Sequence, residues 1–193
     1  MEVDSAAASD AAEEPEWSLS TSVYGYFLPA ETDYLQPTVS VNWRFLHFEA
    51  RYNYEDMRTA SLCTGYTLQV GDEVTFELTL MLAGVFGGSN GIAPGYLMTL
   101  GFWRLELYTE GEYLFDFAAK EDWFYYTWSE LSVSPLDLLR VGMVVQRTRA
   151  YDTELELRRG LLIGIDYEML AFTFHVLNPD KKVAVVCSLS ASF

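Results

Sequence analysis

From residue 17 to the end of the chain, apolar and polar residues alternate with a period of two, and turn signals break the alternation at short intervals. Residues 17–28 set Trp17, Leu19, Val23 and Phe27 against Ser18, Ser20, Ser22, Tyr24 and Tyr26. A polar connection is expected over 29–37, then a strand over 38–43 with Val39, Val41 and Trp43 on its apolar face and a tight turn near Arg44. Residues 46–55 place Leu46, Phe48, Ala50, Tyr52 and Tyr54 opposite His47, Glu49, Arg51, Asn53 and Glu55. Strands are expected over 60–70 and 73–86, joined by a Gly71-Asp72 hairpin turn. A flexible glycine-rich loop over 87–95 follows. The same reading gives strands over 96–101, 103–117, 123–134, 138–151, 154–166, 170–177 and 183–193.

The last of these segments stops on a bare aromatic residue. Val183, Val185, Cys187, Leu189, Ala191 and Phe193 share one face; Ala184, Val186, Ser188, Ser190 and Ser192 share the other. This segment resembles the closing strand of bacterial outer-membrane β-barrels. The resemblance implies an all-β fold, a closed antiparallel up-and-down transmembrane barrel, and the pattern counts about 12 strands, the even number that single-chain barrels use. It further implies a Gram-negative outer-membrane location and Phe193 as the assembly signal read by the barrel-assembly machinery. Outer-membrane lipid and lipopolysaccharide are the surrounding partners it implies. Connections are longer after odd-numbered strands than after even-numbered ones, which puts both termini on the periplasmic side and 87–95 outside. Aromatic residues near strand ends, Trp17, Trp43, Trp103, Tyr54, Tyr113 and Tyr125, fit interfacial girdles.

Composition sharpens the picture. No apolar run reaches the ~18 to 20 residues of a transmembrane helix, so any membrane span consists of strands. The net charge of −16 speaks against nucleic acid as a partner. Lysine occurs only at 120, 181 and 182, whereas exposed strands of soluble sheets usually carry it. Residues 1–16 are too acidic and polar to bury anything and are read as a disordered tail preceding a barrel over 17–193. Residues 1–4 have neither the basic start nor the apolar segment of a signal peptide, so Met1 is read as a start residue placed ahead of a mature sequence. Cys63 and Cys187 fall on opposite faces by parity, and no disulfide is expected.

Candidate chemistry lies on the polar face. Glu49, Glu77, Glu106, Glu110, Glu112, Asp116, Glu130, Glu156 and Asp166 are read as lumen acids, with Arg51, Arg104, Arg140 and Arg158 as their basic counterparts. They form either a self-neutralising ionic network or the lining of a cation-favouring water path. His47 and His175 share that face without metal-ligand spacing, and no metal or cofactor is expected. The functional expectation is a small channel or solute-permeation barrel with an acidic lumen, and not an enzyme. One alternative is a structural or interaction barrel closed by Tyr24, Tyr26, Tyr108, Tyr126, Trp128, Arg51 and Arg158. An outer-membrane lipid hydrolase is the other, although neither histidine has lipid-face parity.

Matching faces across the hairpin at 152–154 predicts a register with Tyr151 opposite Leu155, Arg140 opposite Asp166 and Arg147 opposite Arg159. Two arginines facing each other on the lipid side need an anion. Arg147, Arg149 and Arg159 are therefore expected to contact lipopolysaccharide phosphate, unless a bulge at 158–160 turns Arg159 inward.

Overall fold

The last residue of the chain is held by two backbone hydrogen bonds. Phe193 donates its amide to the Leu19 carbonyl at 2.8 Å, and the Phe193 carbonyl accepts the Leu19 amide at 3.1 Å. First and last strands are thereby joined, and the computed structural model, which describes residues 17–29, 32–118, 123–150 and 155–193, is a closed barrel. Its strands are β1 (Trp17–Phe27), β2 (Tyr34–Trp43), β3 (Leu46–Tyr52), β4 (Thr59–Val70), β5 (Val74–Gly87) and β6 (Gly91–Phe102). They continue as β7 (Leu105–Asp116), β8 (Phe124–Leu136), β9 (Leu139–Ala150), β10 (Glu156–Tyr167), β11 (Leu170–Leu177) and β12 (Ala184–Ser192). Each strand pairs antiparallel with its sequence neighbours, and β12 returns to β1. The tail expected at 1–16 lies outside the described residues.

Faces follow from parity. Leu62 and Leu161 on the outer wall are 60% and 61% exposed, whereas Ser61 and Leu162, one step away on the same strands, are 1% and 4% exposed. Nearly every strand presents apolar side chains outward, the reverse of a soluble barrel, and such a wall is stable only against hydrocarbon. Several strands run 10 to 14 residues, close to the ~9 to 11 that a tilted strand needs to cross a bilayer. Aromatic groups mark both rims. Trp17 stacks on Trp43 at one end, and Tyr113, Phe115 and Trp123 cluster at the other.

The two ends differ in their connections. Residues 44–45, 71–73, 103–104, 137–138 and 168–169 are short turns, whereas 28–33, 53–58, 88–90, 117–123, 151–155 and 178–183 join the strands at the opposite rim. Arg44, Trp103 and Glu168 open two-residue turns with φ of 56°, 53° and 52°, the positive values that two-residue hairpins demand.

Several boundaries depart from the sequence reading. The strand expected from 38 begins at Tyr34, inside the expected polar connection, with Gln36 pointing inward. The loop expected at 87–95 shrinks to residues 88–90, because Gly91, Ala93 and Gly95 are the small inward-facing residues of β6. A side chain at Gly91 would strike the Phe115 carbonyl, so the glycine there permits close strand pairing rather than flexibility. Pro94 has no amide to donate, and registered pairing with β7 lapses at Ala93 and Pro94. The strand expected to reach 55 ends at Tyr52, where Asn53 turns with φ of 58°.

The β9–β10 register is also shifted by two residues from expectation. Arg140 faces Gly164, Arg147 faces Leu157, and Arg159 faces Val145. Arg147 and Arg159 are therefore diagonal neighbours on the outer wall, not an opposed pair. The expected Tyr151–Leu155 pairing involves Tyr151, which lies outside the described residues. Pairing of β9 with β10 runs without a bulge through 158–160, so Arg158 points inward and Arg159 outward.

Candidate functional site

Among the described residues, three of the cavities follow one another along the interior. A chamber of about 560 Å³ opens at the long-connection rim, one of about 100 Å³ occupies the middle, and one of about 370 Å³ opens at the short-turn rim. Tyr26, Tyr54 and Tyr126 line both the first and the middle chamber, while Tyr24 and Tyr108 line both the middle and the last. Phenol rings thus form the partitions of the lumen.

Tyr54 reaches this position because β3 is short. The left-handed turn at Asn53 is fixed by three bonds: its amide donates to the Thr59 carbonyl, its side-chain amide to the Leu35 carbonyl, and its side-chain oxygen accepts the Arg58 amide. Tyr54 is thereby directed inward, where its hydroxyl donates to Glu110 at 3.1 Å and its ring lies 4.0 Å from the Arg51 guanidinium carbon. A girdle position expected from parity is in fact part of the constriction.

Arg51 is the middle of the first ionic centre. It bonds Glu49 on its own strand and Glu112 across the lumen at 2.8 Å, and its side chain is 1% exposed. His47 lies 3.3 Å from Glu49 and 2.7 Å from Asn42. Glu110 accepts the Tyr54 and Tyr108 hydroxyls. One oxygen of Glu112 has no partner.

The second centre surrounds Glu130. That carboxylate accepts the Trp128 indole N–H at 2.8 Å and the Arg140 guanidinium at 3.1 Å, and lies 2.8 Å from His175 Nε2. Arg140 also donates to Thr173 at 2.8 Å and stands 3.8 Å from Asp166. The predicted association of Arg140 with Asp166 therefore exists, but across a diagonal.

The other predicted residues separate into several environments. Glu106 lines the short-turn chamber, and Glu77 is exposed toward the same rim. Glu156 and Arg158 pair at 2.7 Å in the long-connection chamber. Asp116 accepts the Asn90 and Ala118 amides, tying two connections together, and Arg104 bonds Ser134 and Asp137 at the short-turn rim. Arg147 and Arg149 are exposed on the outer wall, and Arg159 there stands 3.8 Å from Asp180.

Sequence reasoning missed two kinds of residue. Leu114, Val144, Leu162, Leu177 and Val186 are buried inward, so much of the lumen is apolar rather than hydroxylated and acidic. The signal was present in doublets such as Val144-Val145 and Leu161-Leu162, where both faces are apolar at once. Glu55 and Gln146 in the long-connection chamber were also passed over. Glu55 is 6% exposed and Gln146 8%. Burial pushes the Glu55 carboxyl above the usual carboxylate range, against the opposing pull of Ser61 and Arg51.

The fold has solved counterparts. The barrel is similar to the KdgM porin, with a TM-score of 0.62 at 10% identity over 90% of this chain and 99% of that one, and the match to that porin in complex with disordered oligogalacturonate is the same. It is also similar to the NanC porin, with a TM-score of 0.59 at 10% identity over 90% and 98% of the two chains. No family model matches the sequence. No curated protein sequence matches it either.

Proposed function

We propose that this chain is a small bacterial outer-membrane channel whose acid-rich lumen favours cations, oriented with both termini in the periplasm and the long-connection rim outside. The carrying observation is the line of three chambers running rim to rim, separated by side chains rather than by backbone. Side-chain partitions move on far shorter timescales than a folded plug. The porins that share the fold support transport as the role. Inward carboxylates outnumber the inward arginines Arg51, Arg140 and Arg158, which disfavours anionic solutes. Among the described residues, the polar partners of the two histidines are Asn42, Glu49, Glu130 and the Val186 carbonyl, an arrangement that suits a structural role.

In planar bilayers, the purified barrel should carry cation-selective current, and Tyr54→Ala should raise the conductance by opening the partition between the first two chambers. If both proteins are silent while folded, the barrel is closed and its role is structural. Orientation is checked separately: an amine-reactive, membrane-impermeant label added to intact cells should modify Lys181 or Lys182 in the 178–183 connection. On the outer wall, Arg147, Arg149 and Arg159 would grip lipopolysaccharide phosphates near the outer rim. Their contribution is read as stabilisation by added lipopolysaccharide that Arg147→Gln/Arg159→Gln loses.

A further inference from the structure

The long-connection chamber is lined by hydrogen-bond acceptors that the described residues do not fully satisfy. The Gln146 side-chain oxygen is buried without a hydrogen-bond partner, and the buried Glu55 carboxylate has only the Ser61 hydroxyl and its own backbone amide as donors beside it. Two donors leave part of the lone-pair capacity of that carboxylate unfilled. Buried polar atoms of this kind cost stability unless something donates to them. All of these orphans in the chamber lining are acceptors, so the complementary group is a donor.

Charge and ring chemistry narrow that donor further. Among the described residues lining the chamber, Glu156 is balanced by Arg158, which leaves Glu55 and Asp56 as surplus negative charge. Asp56 already accepts the Ser89 hydroxyl and the Met57 amide, so Glu55 is the lining carboxylate with acceptor capacity left. Tyr26 and Tyr34 line the same space, stacked at 4.6 Å with 6° between their planes, next to Tyr126. Phenol faces attract cations and tolerate methylene chains. A neutral polyol would satisfy the acceptors but leave the surplus charge unanswered, and an anion would do neither.

We infer that this chamber is a binding site for small protonated amines, with Glu55 and Gln146 accepting the ammonium N–H groups and the tyrosines packing the carbon chain. The inference names a solute class for the channel proposed above and rests on that reading only for its transport meaning; the binding itself is a property of the chamber.

The test is calorimetric titration of the detergent-folded barrel at low salt with 1,4-diaminobutane, and with butane-1,4-diol as its uncharged counterpart. Saturable binding of the diamine is expected, at least tenfold tighter than that of the diol. Glu55→Gln should weaken diamine binding at least tenfold and leave diol binding unchanged, and Gln146→Leu should weaken it less. Heat-modified gel mobility establishes that each variant is folded; should Glu55→Gln fail to fold, Gln146→Leu carries the comparison. Absence of saturable diamine binding to folded wild type, equal binding of diol and diamine, or undiminished binding by the folded variants overturns the site. A barrel that conducts cations without binding the diamine sinks this inference alone, and one that binds the diamine but never conducts sinks the channel alone.

Discussion

Two arginines organise the lumen in different ways. Arg51 is enclosed: its side chain is 1% exposed, it contacts two carboxylates, and the face of Tyr54 covers it. Arg140 is 17% exposed beside the short-turn chamber, and its main partner, Glu130, is supported independently by Trp128 and His175. Arg51 is thus the guanidinium at the middle of an enclosed cluster. Arg140 is one of several groups sharing a carboxylate that has other donors and lines the short-turn chamber. The difference shows that the ionic groups of one barrel interior need not be equivalent: some hold opposite walls together, and others line a chamber.

The comparison can be broken most directly by deleting each arginine. Arg51→Ala leaves Glu49 and Glu112 buried with no guanidinium between them, and should cost about 3 to 5 kcal/mol in reversible denaturant unfolding. Arg140→Ala leaves Glu130 with its other donors and should cost less, about 1 to 3 kcal/mol. Equal losses would show that the two centres share one environment. Trp128→Phe sharpens the second half: it removes one Glu130 donor, so its effect should grow when combined with Arg140→Ala, and additivity of the two would deny the sharing.

A smaller effect is expected from pH. The buried Glu55 carboxyl has a raised affinity for its proton, so its ionisation opposes folding. That penalty is fully present above its raised folded value and fades as pH falls toward the ordinary carboxylate range. Glu55→Gln should therefore flatten this part of the stability profile, and an unchanged profile would mean that the carboxyl is solvated. Arg149→Ala, on the exposed outer wall, should lower the unfolding midpoint less than Arg140→Ala does in detergent free of lipopolysaccharide.

What was legible in advance depended on period and parity. Alternation from Trp17 to Phe193 specifies strands, their even number and which residues share a face, because in a two-residue repeat each side chain's direction is set by its position alone; which face turns outward needed the scarcity of lysine and the resemblance of the closing strand besides. The closing strand was readable for the same reason, and its final residue does complete the ladder with Leu19. Register was not readable. A hairpin loop that slips by two residues keeps every face unchanged, so parity cannot detect the shift that sets Arg140 against Gly164 and Arg147 against Leu157.

Site geometry was hidden for a related reason. Tyr54 enters the lumen only because the chain leaves its strand at Asn53, and that turn is held by Thr59, Leu35 and Arg58, partners supplied by neighbouring segments. The glycine-rich stretch after Gly87 read as a loop because small residues signal turns in isolation; against the Phe115 carbonyl they are what lets two strands approach. The sequence by itself determined strands with one apolar and one polar face, since those properties are local and repeat along the chain. Which carboxylate meets which arginine, where the tyrosines partition the lumen and which acceptors remain open were decided only by tertiary structure, because each depends on distances across a closed ring that no single strand encodes.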